Sequence, residues 1–452
     1  MPKAKYSVNF KNKIQDYNSN IRVDTDKSLS IRSILFGSVC EGISRIENLL
    51  ESEDVNSSIK FVKNLGVKLK KIKKGEYLIY GKGLRNFYAP KNTILNFGNS
   101  GTLCRLGCGL IATNPNLILN LKGDKSLQKR NLQNLFDALS KFGAHFYPKN
   151  KNFLPIKIIS SSIPIGIEYV EKKGSAQMVS SVALAGLNSF AGKTKIIQEK
   201  ESRDHTQIFL KNIGADIKII KKNKSKIIEL SGGKKMNNFN IKIPGDPSSA
   251  AFFTALTILK ENSSLRIKNV GLNPSRTGFY ELLKKHGAKI KTKNKRKINN
   301  EIVGDVLVKS GSIKPINSNS SYYSKTVDEF PILFVIAALS KGKSKFTGIN
   351  DLANKESNRI LEMKKILKKI NIRCSSDKDS MTIYGSKNLK NNGKKIIINP
   401  KLDHRICQSA AILALITGIN ITIKNFETVN TSAPSFLKKI KSLGGKFHVK
   451  KI

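Results

Sequence analysis

The sequence predicts a mixed α/β (α+β) protein of two domains, each assembled from three repeated units of helix and short strand. Apolar helices with polar heads begin near Lys27, Asn99, Ser175, Asp246, Asp328 and Asp403, roughly 70–80 residues apart, longer than a solenoid repeat and close to a small subdomain. A second marker keeps the same interval. Helical runs stop at Leu65-Gly66-Val67, Phe142-Gly143-Ala144, Ile213-Gly214-Ala215, His286-Gly287-Ala288, Ile370-Asn371-Ile372 and Leu443-Gly444-Gly445. Gly and Asn are the residues that tolerate the left-handed conformation just past a helix end. The third observation is length, since 452 residues exceed what one ordinary core serves.

The first unit opens with Asp26-Lys27-Ser28-Leu29-Ser30-Ile31-Arg32, ahead of the apolar run Ile34-Leu35-Phe36-Gly37-Ser38-Val39. This reads as a helix with a polar first turn and a buried body. Free N–H groups and a partial positive charge at a helix start attract anions, and Lys27 and Arg32 add two full charges. The second unit opens with Asn99-Ser100-Gly101-Thr102-Leu103-Cys104-Arg105. Gly101 lets a ligand approach the backbone, and Asn99, Ser100 or Thr102 can cap the helix. The basic turn Gly123-Asp124-Lys125-Ser126-Leu127-Gln128-Lys129-Arg130 can supply Arg130. In the third unit Gly174-Ser175-Ala176-Gln177 heads an apolar helix, and Ser202-Arg203-Asp204-His205-Thr206 resembles another helix start. Its Arg203 suits phosphate, while His205 reads as structural.

The loop Ser231-Gly232-Gly233-Lys234-Lys235-Met236-Asn237-Asn238 marks the domain boundary, after which Ile241-Lys242-Ile243-Pro244-Gly245-Asp246 opens the fourth unit. Residues before about Arg22 fit either domain. Asp328-Glu329-Phe330-Pro331 puts two carboxylates at a helix mouth, where capping is the plain reading. Lys355-Glu356-Ser357-Asn358-Arg359 gathers Lys, Glu and Arg within about one helical turn. A lysine and a glutamate in contact tune each other for proton transfer, and Arg359 offers a fork for phosphate or carboxylate. Asp403-His404-Arg405 sets another Arg before a helix. Lys-rich residues 221–226 and 291–297 read as hairpin tips or solvated loops. With no metal motif, Walker loop or nucleotide fingerprint, the expected site is cationic, metal-free and built for small polyanions with an acid–base pair.

The net charge of +49 allows three readings: nucleic-acid binding, a membrane surface, or a generally basic composition around a site for anions. Lysines are scattered, and neither zinc-finger spacing nor an RNP-type aromatic strand occurs, which argues against nucleic acid. No secretory leader is expected from the first residues, and the longest apolar run, residues 331–339, is far short of a membrane span. Five widely spread cysteines suit reduced thiols in a cytosol. Cys104 and Cys108 share a helical face and read as packed rather than zinc-bound.

Together these stretches resemble the 5-enolpyruvylshikimate-3-phosphate synthase (3-phosphoshikimate 1-carboxyvinyltransferase) family, in its order, over nearly the whole chain. Single motifs are weak; Asp26 to Arg32, Gly98 to Thr102, Leu127 to Arg130, Gly174 to Gln177, Ser202 to Thr206, Asp328 to Pro331, Lys355 to Arg359 and Asp403 to Arg405 in register are strong. The Ser-Ala-Gln and Arg-Asp-His-Thr forms look like the family's second sequence class. The resemblance implies two domains of three βαβαββ units each, with inward helices, closing like a clamp around the substrates. It assigns residues 23–240 to the first domain, on the shikimate 3-phosphate side, and 1–22 with 241–452 to the second, on the phosphoenolpyruvate side.

The implied reaction joins the enolpyruvyl group of phosphoenolpyruvate to the 5-hydroxyl of shikimate 3-phosphate, releasing phosphate, in the shikimate pathway to chorismate and the aromatic amino acids. By motif, Ser28, Arg32, Ser175, Gln177 and Arg203 would hold shikimate 3-phosphate, and Asn99 and Ala176 would also bind substrate. Lys27, Gly101, Arg130, Arg359 and Arg405 would hold phosphoenolpyruvate, and Lys355 would span both. Asp328 would orient or deprotonate the hydroxyl; Lys27 and Glu356 would move protons at the enol carbon. The resemblance implies a cytoplasmic monomer that needs no cofactor or metal and has no nucleic-acid or membrane partner. Gly101 keeps the small residue that leaves room for glyphosate in this family, so sensitivity is expected.

Several positions depart from the family pattern: Asp24-Thr25 for Pro-Gly, Asn131 for Pro, Val179 for Lys, and Ala353-Asn354 for Arg-Val. They flank the core roles and bear on affinity more than on reaction type. The sister enolpyruvyltransferase acting on UDP-N-acetylglucosamine is disfavoured because Ser28 follows Lys27 and residues 125–130 hold no Cys. An RNA-binding role drawing on the charge, or a family member without turnover, are the remaining alternatives.

Overall fold

In the computed structural model the described residues are 5–148, 152–222, 225–386, 389 and 395–451. They form six four-stranded mixed sheets, each built the same way. One example shows the rule. Strand Thr93–Asn96 runs parallel to Ile118–Lys122, with helix Gly101–Ala112 making the crossover between them. Helix Gln133–Ser140 follows, then His145–Tyr147 at the edge, which pairs antiparallel with Ile156–Ile159, itself antiparallel to Ile118–Lys122. This is the βαβαββ unit. Register places Leu119 opposite Ile158 and Leu121 opposite Ile156, all four buried.

Three sheets close by distant pairing, one of them through Asn18–Ile21 running parallel to Ser264–Gly271. Asn240–Lys242 lies parallel to Glu41–Glu47 in the sheet of the first unit. Tyr6–Phe10 fits between Ile421–Ile423 and His448–Lys451, with Val8 opposite both Ile423 and Val449. The chain divides into two compact bodies: Thr25–Ile243 with Lys297–Glu301, and Met1–Asp24 with Pro244–Arg296 and Ile302–Ile452. Each has its own hydrophobic core.

The first helix of every unit is the buried one. Every residue of Phe330–Ala338 is buried, and so is every residue of Pro247–Leu259 before Leu259. A helix apolar all round needs cover on all sides, which sheet and neighbouring helices supply. The polar heads are caps. Leu29 N donates to Asp26 Oδ1 (2.8 Å), Leu103 N to Ser100 Oγ (3.2 Å), Ser248 N to Asp246 Oδ1 (2.8 Å) and Arg405 N to Asp403 Oδ1 (2.9 Å). Among the three candidate caps of the second unit, Ser100 does the capping. Glu329 makes no capping bond through its side chain, so the plain reading of Asp328-Glu329 fails there. The six helix stops behave alike, with φ of +81° at Gly66, +93° at Gly143, +87° at Gly214, +97° at Gly287, +61° at Asn371 and +86° at Gly444.

One expectation is corrected. Residues 291–297 lie in strand Lys289–Ile298, at the edge of its sheet, rather than in a loop. Lysine alternates there with Ile290, Thr292, Asn294 and Arg296, a period of two that a strand accommodates and that charge counting overlooks. In the 221–226 segment Lys222 pairs with Ser225, and Asn223 and Lys224 lie outside the described residues.

Candidate active site

In the first body three helix mouths carry the candidate ligands. Lys27 is the first residue of its helix, and its Nζ donates to Asp54 Oδ2 at 2.9 Å. Asp54 stands in the first turn of helix Glu53–Asn64 and is buried. Arg32, also buried, donates from Nε to Thr206 Oγ1 (2.9 Å), from Nη2 to Ser180 Oγ (3.2 Å) and from Nη1 to the Ser28 carbonyl (3.2 Å). Arg130 comes from the basic turn. Asp124 folds that turn by accepting from Ser126 N and Leu127 N (2.9 and 2.8 Å), an Asx-type arrangement. Its other oxygen takes Asn99 Nδ2 (2.8 Å), and Asn99 Oδ1 accepts from Arg130 Nη2 (2.9 Å). A Cβ at Gly101 would lie 2.7 Å from Arg130 Nη1 and 3.0 Å from Arg105 Nη1, so the missing side chain lets both guanidinium groups crowd the helix start.

The third mouth is shaped by Glu171, whose Oε1 accepts from Lys173 N (2.8 Å) and Ser175 N (3.3 Å). Ser175 Oγ caps the helix through Met178 N (3.3 Å), and Gln177 Nε2 donates to Thr102 Oγ1 (3.0 Å), tying the third mouth to the second. Ala176 is the first residue of that helix. Arg203 is half-buried just ahead of helix His205–Asn212. His205 Nδ1 lies 2.5 Å from Glu301 Oε1, both buried, which agrees with a structural histidine.

The second body assembles a charge cluster on Arg359, which is 1% exposed. Its Nε donates to Asp403 Oδ2 (3.0 Å), Nη2 to Glu356 Oε2 (2.7 Å), and Nη1 meets Asp328 Oδ1 at 3.5 Å. Burial alone would depress this guanidinium; the Asp403, Glu356 and Asp328 carboxylates outweigh it and raise its pKa, so the cation is permanent. Beside it Lys355 Nζ bonds Asp351, which also accepts from Tyr323 OH (3.0 Å). Burial pushes the Asp351 carboxyl up, but Lys355 and Tyr323 bring it below the usual range. Arg405 is buried over the Phe252 ring (5.7 Å), and its Nε and Nη1 have no hydrogen-bond partner among the described residues. A buried guanidinium with unmet donors is a strong recognition element for an oxyanion.

Sequence reasoning missed Asp54, Asp351 and Tyr323, since each acts on a lysine through space and looks like first-turn or loop polarity in the chain. Cys104 and Cys108 are both fully buried. Among the described residues no group of His, Cys, Asp and Glu converges as metal ligands would, and no helix is long and apolar enough to cross a membrane.

Six βαβαββ units with cationic helix mouths and a guanidinium that gathers three carboxylates define an enolpyruvyl-transferase type of protein. The fold is shared with the enolpyruvyl transferase NikO from Streptomyces tendae, at a TM-score of 0.74 and 12% identity over 100% of both chains. The chain belongs to the EPSP synthase (3-phosphoshikimate 1-carboxyvinyltransferase) family, whose model matches residues 11–440. It is 38% identical to the 3-phosphoshikimate 1-carboxyvinyltransferase of Petrotoga mobilis, over 95% of this chain and 98% of that one. The enzyme of the same name from Zymomonas mobilis is 37% identical, over 95% and 94%. A structure of EPSP synthase from Acinetobacter baumannii matches at a TM-score of 0.84 and 33% identity, over 99% and 100%.

Proposed function

We propose that this protein is a 3-phosphoshikimate 1-carboxyvinyltransferase that moves the enolpyruvyl group of phosphoenolpyruvate to the 5-hydroxyl of shikimate 3-phosphate and releases phosphate. The observation that carries the reading is the Arg359 cluster: a fully buried cation gathering Asp328 and Glu356, the two carboxylates the reaction needs. Asp328 takes the proton of the 5-hydroxyl as that oxygen attacks C2 of the enolpyruvyl group. Lys27 and Glu356 deliver a proton to the methylene carbon and remove one when phosphate leaves, which restores the double bond. Arg130, Arg359 and Arg405, with Asn99 and Gly101, take the phosphate and carboxylate of phosphoenolpyruvate. Ser28, Arg32, Ser175, Ala176, Gln177 and Arg203 take shikimate 3-phosphate, and Lys355 serves both. Charge on two polyanions is met by fixed cations, and such preorganised groups cost no reorganisation during reaction.

The same reading places the enzyme in the cytoplasm as a monomer, where its five free thiols stay reduced. The test is phosphate release from phosphoenolpyruvate with shikimate 3-phosphate, beside a UDP-N-acetylglucosamine control, in the native protein and in Arg130→Ala and Asp328→Ala. Release with shikimate 3-phosphate alone, lost in both variants, is expected. Absence of release with either acceptor would refute the activity.

A further inference from the structure

Arg32 is anchored by two hydroxyls that no substrate role explains. Thr206 Oγ1 and Ser180 Oγ are 2.6 Å apart and both residues are 1% exposed. Ser180 Oγ donates to the Ala176 carbonyl (2.6 Å), so its single proton is used there and Thr206 must donate to Ser180. Both hydroxyl oxygens thereby turn lone pairs toward Arg32, Thr206 to Nε (2.9 Å) and Ser180 to Nη2 (3.2 Å). Nη1 is fixed by the Ser28 carbonyl. At least three of the guanidinium's N–H groups are thus committed, which sets its plane and its rotation about Nε. The relay ends on Ala176, the first residue of the helix headed by Ser175, so three motifs far apart in sequence share one bonded chain.

We propose that Ser180 and Thr206 are positioning residues: their hydroxyl relay holds Arg32 in the orientation that binds an oxyanion of the acceptor substrate. The proposal rests on the function given above, in which Arg32 serves shikimate 3-phosphate. Its energetic basis is that a buried charged donor deprived of its acceptor keeps its desolvation cost. Thr206→Val keeps the shape and removes the acceptor; Ser180→Ala removes the second one.

Steady-state KM values for both substrates, with thermal melts as a folding control, test this. Thr206→Val and Ser180→Ala should each raise the KM for shikimate 3-phosphate roughly 10- to 100-fold, with the KM for phosphoenolpyruvate within about threefold of the native value. Thr206→Ser should restore most of the loss, and it keeps the test open if the valine variant fails to fold. Shikimate, which has the carboxylate and lacks the phosphate, identifies the oxyanion. A loss shared by both acceptors assigns the carboxylate, and a loss confined to the phosphorylated one assigns the phosphate. Equal rises in both KM values, or none, would overturn the relay. Arg32→Gln separates the two ideas: if it leaves the KM for shikimate 3-phosphate unchanged, the acceptor role of Arg32 is wrong and the relay falls with it. If it raises that KM while the hydroxyl variants do not, the relay alone is wrong.

Discussion

Gly101 sets a tight steric limit. The atom a Cβ would strike, Arg130 Nη1 at 2.7 Å, is the far end of a flexible side chain, so Gly101→Ala should fold normally and displace the guanidinium. The KM for phosphoenolpyruvate is expected to rise about tenfold, about 1.4 kcal/mol, with the KM for shikimate 3-phosphate nearly unchanged. Inhibition by glyphosate should weaken in the same variant; native activity untouched by millimolar inhibitor would remove the premise.

Asp24 gives a second residue-level test. Burial pushes its carboxyl above the usual range and nearby Asp246 adds to this, although Ser435 and Lys439 pull the other way. A carboxyl whose folded pKa is raised destabilises the fold as pH rises above its unfolded value of about 3.9, and the penalty persists at neutrality. Asp24→Asn keeps an acceptor for Ser435 N and Oγ. It should therefore raise the melting temperature at pH 7 and do little at pH 4. An equal gain at both values would show that charge is not the cause.

Elements start and stop on local chemistry, and local chemistry is what a sequence displays. Asp26, Ser100, Ser175, Asp246 and Asp403 all cap through their own side chains within three residues. Asn371 is the informative exception among the helix stops, since it holds φ +61° without being glycine. Asn371→Ala should cost about 1 kcal/mol because alanine lacks asparagine's tolerance of that region, while Asn371→Gly should be close to neutral. Chemical denaturation, followed in the transition of the body that holds Asn371 and with an unchanged slope there, would verify both. What stayed illegible is long-range. Thr206 lies 174 residues from Arg32, and Asp403 lies 44 residues from Arg359, so neither pairing leaves a mark in either stretch. Strand Lys289–Ile298 hid because its lysines suggested solvent while its alternation suggested a sheet. The candidate motifs were readable as a set because most sit at a helix mouth; their hydrogen-bonded partners were not.

At the scale of the molecule, a charge of +49 opposes compaction. Lysines crowd edge strands such as Lys68–Lys73 and Lys289–Ile298, where they also discourage pairing with another chain. Raising salt from about 0.01 M to 0.1 M shortens the screening length from about 30 Å to about 10 Å. The melting temperature is expected to rise over that interval, and a fall would mean that attractive pairs outweigh the repulsion. Two separate cores also make a single two-state transition the wrong description of unfolding.

The strand Tyr6–Phe10 lies between two strands from the far end of the chain, and this has a consequence for synthesis. The body made mainly of Thr25–Ile243 has nearly all its parts once residue 243 leaves the ribosome. The other body holds Tyr6–Phe10, which must wait for Ile421–Ile423 and His448–Lys451. At about 5–20 residues per second, the interval is on the order of 20–80 s. Throughout it Val8 and Phe10, both fully buried in the finished protein, have no sheet to join. Until those strands are made the growing chain carries an apolar, unpaired strand, the kind of segment that holding chaperones engage.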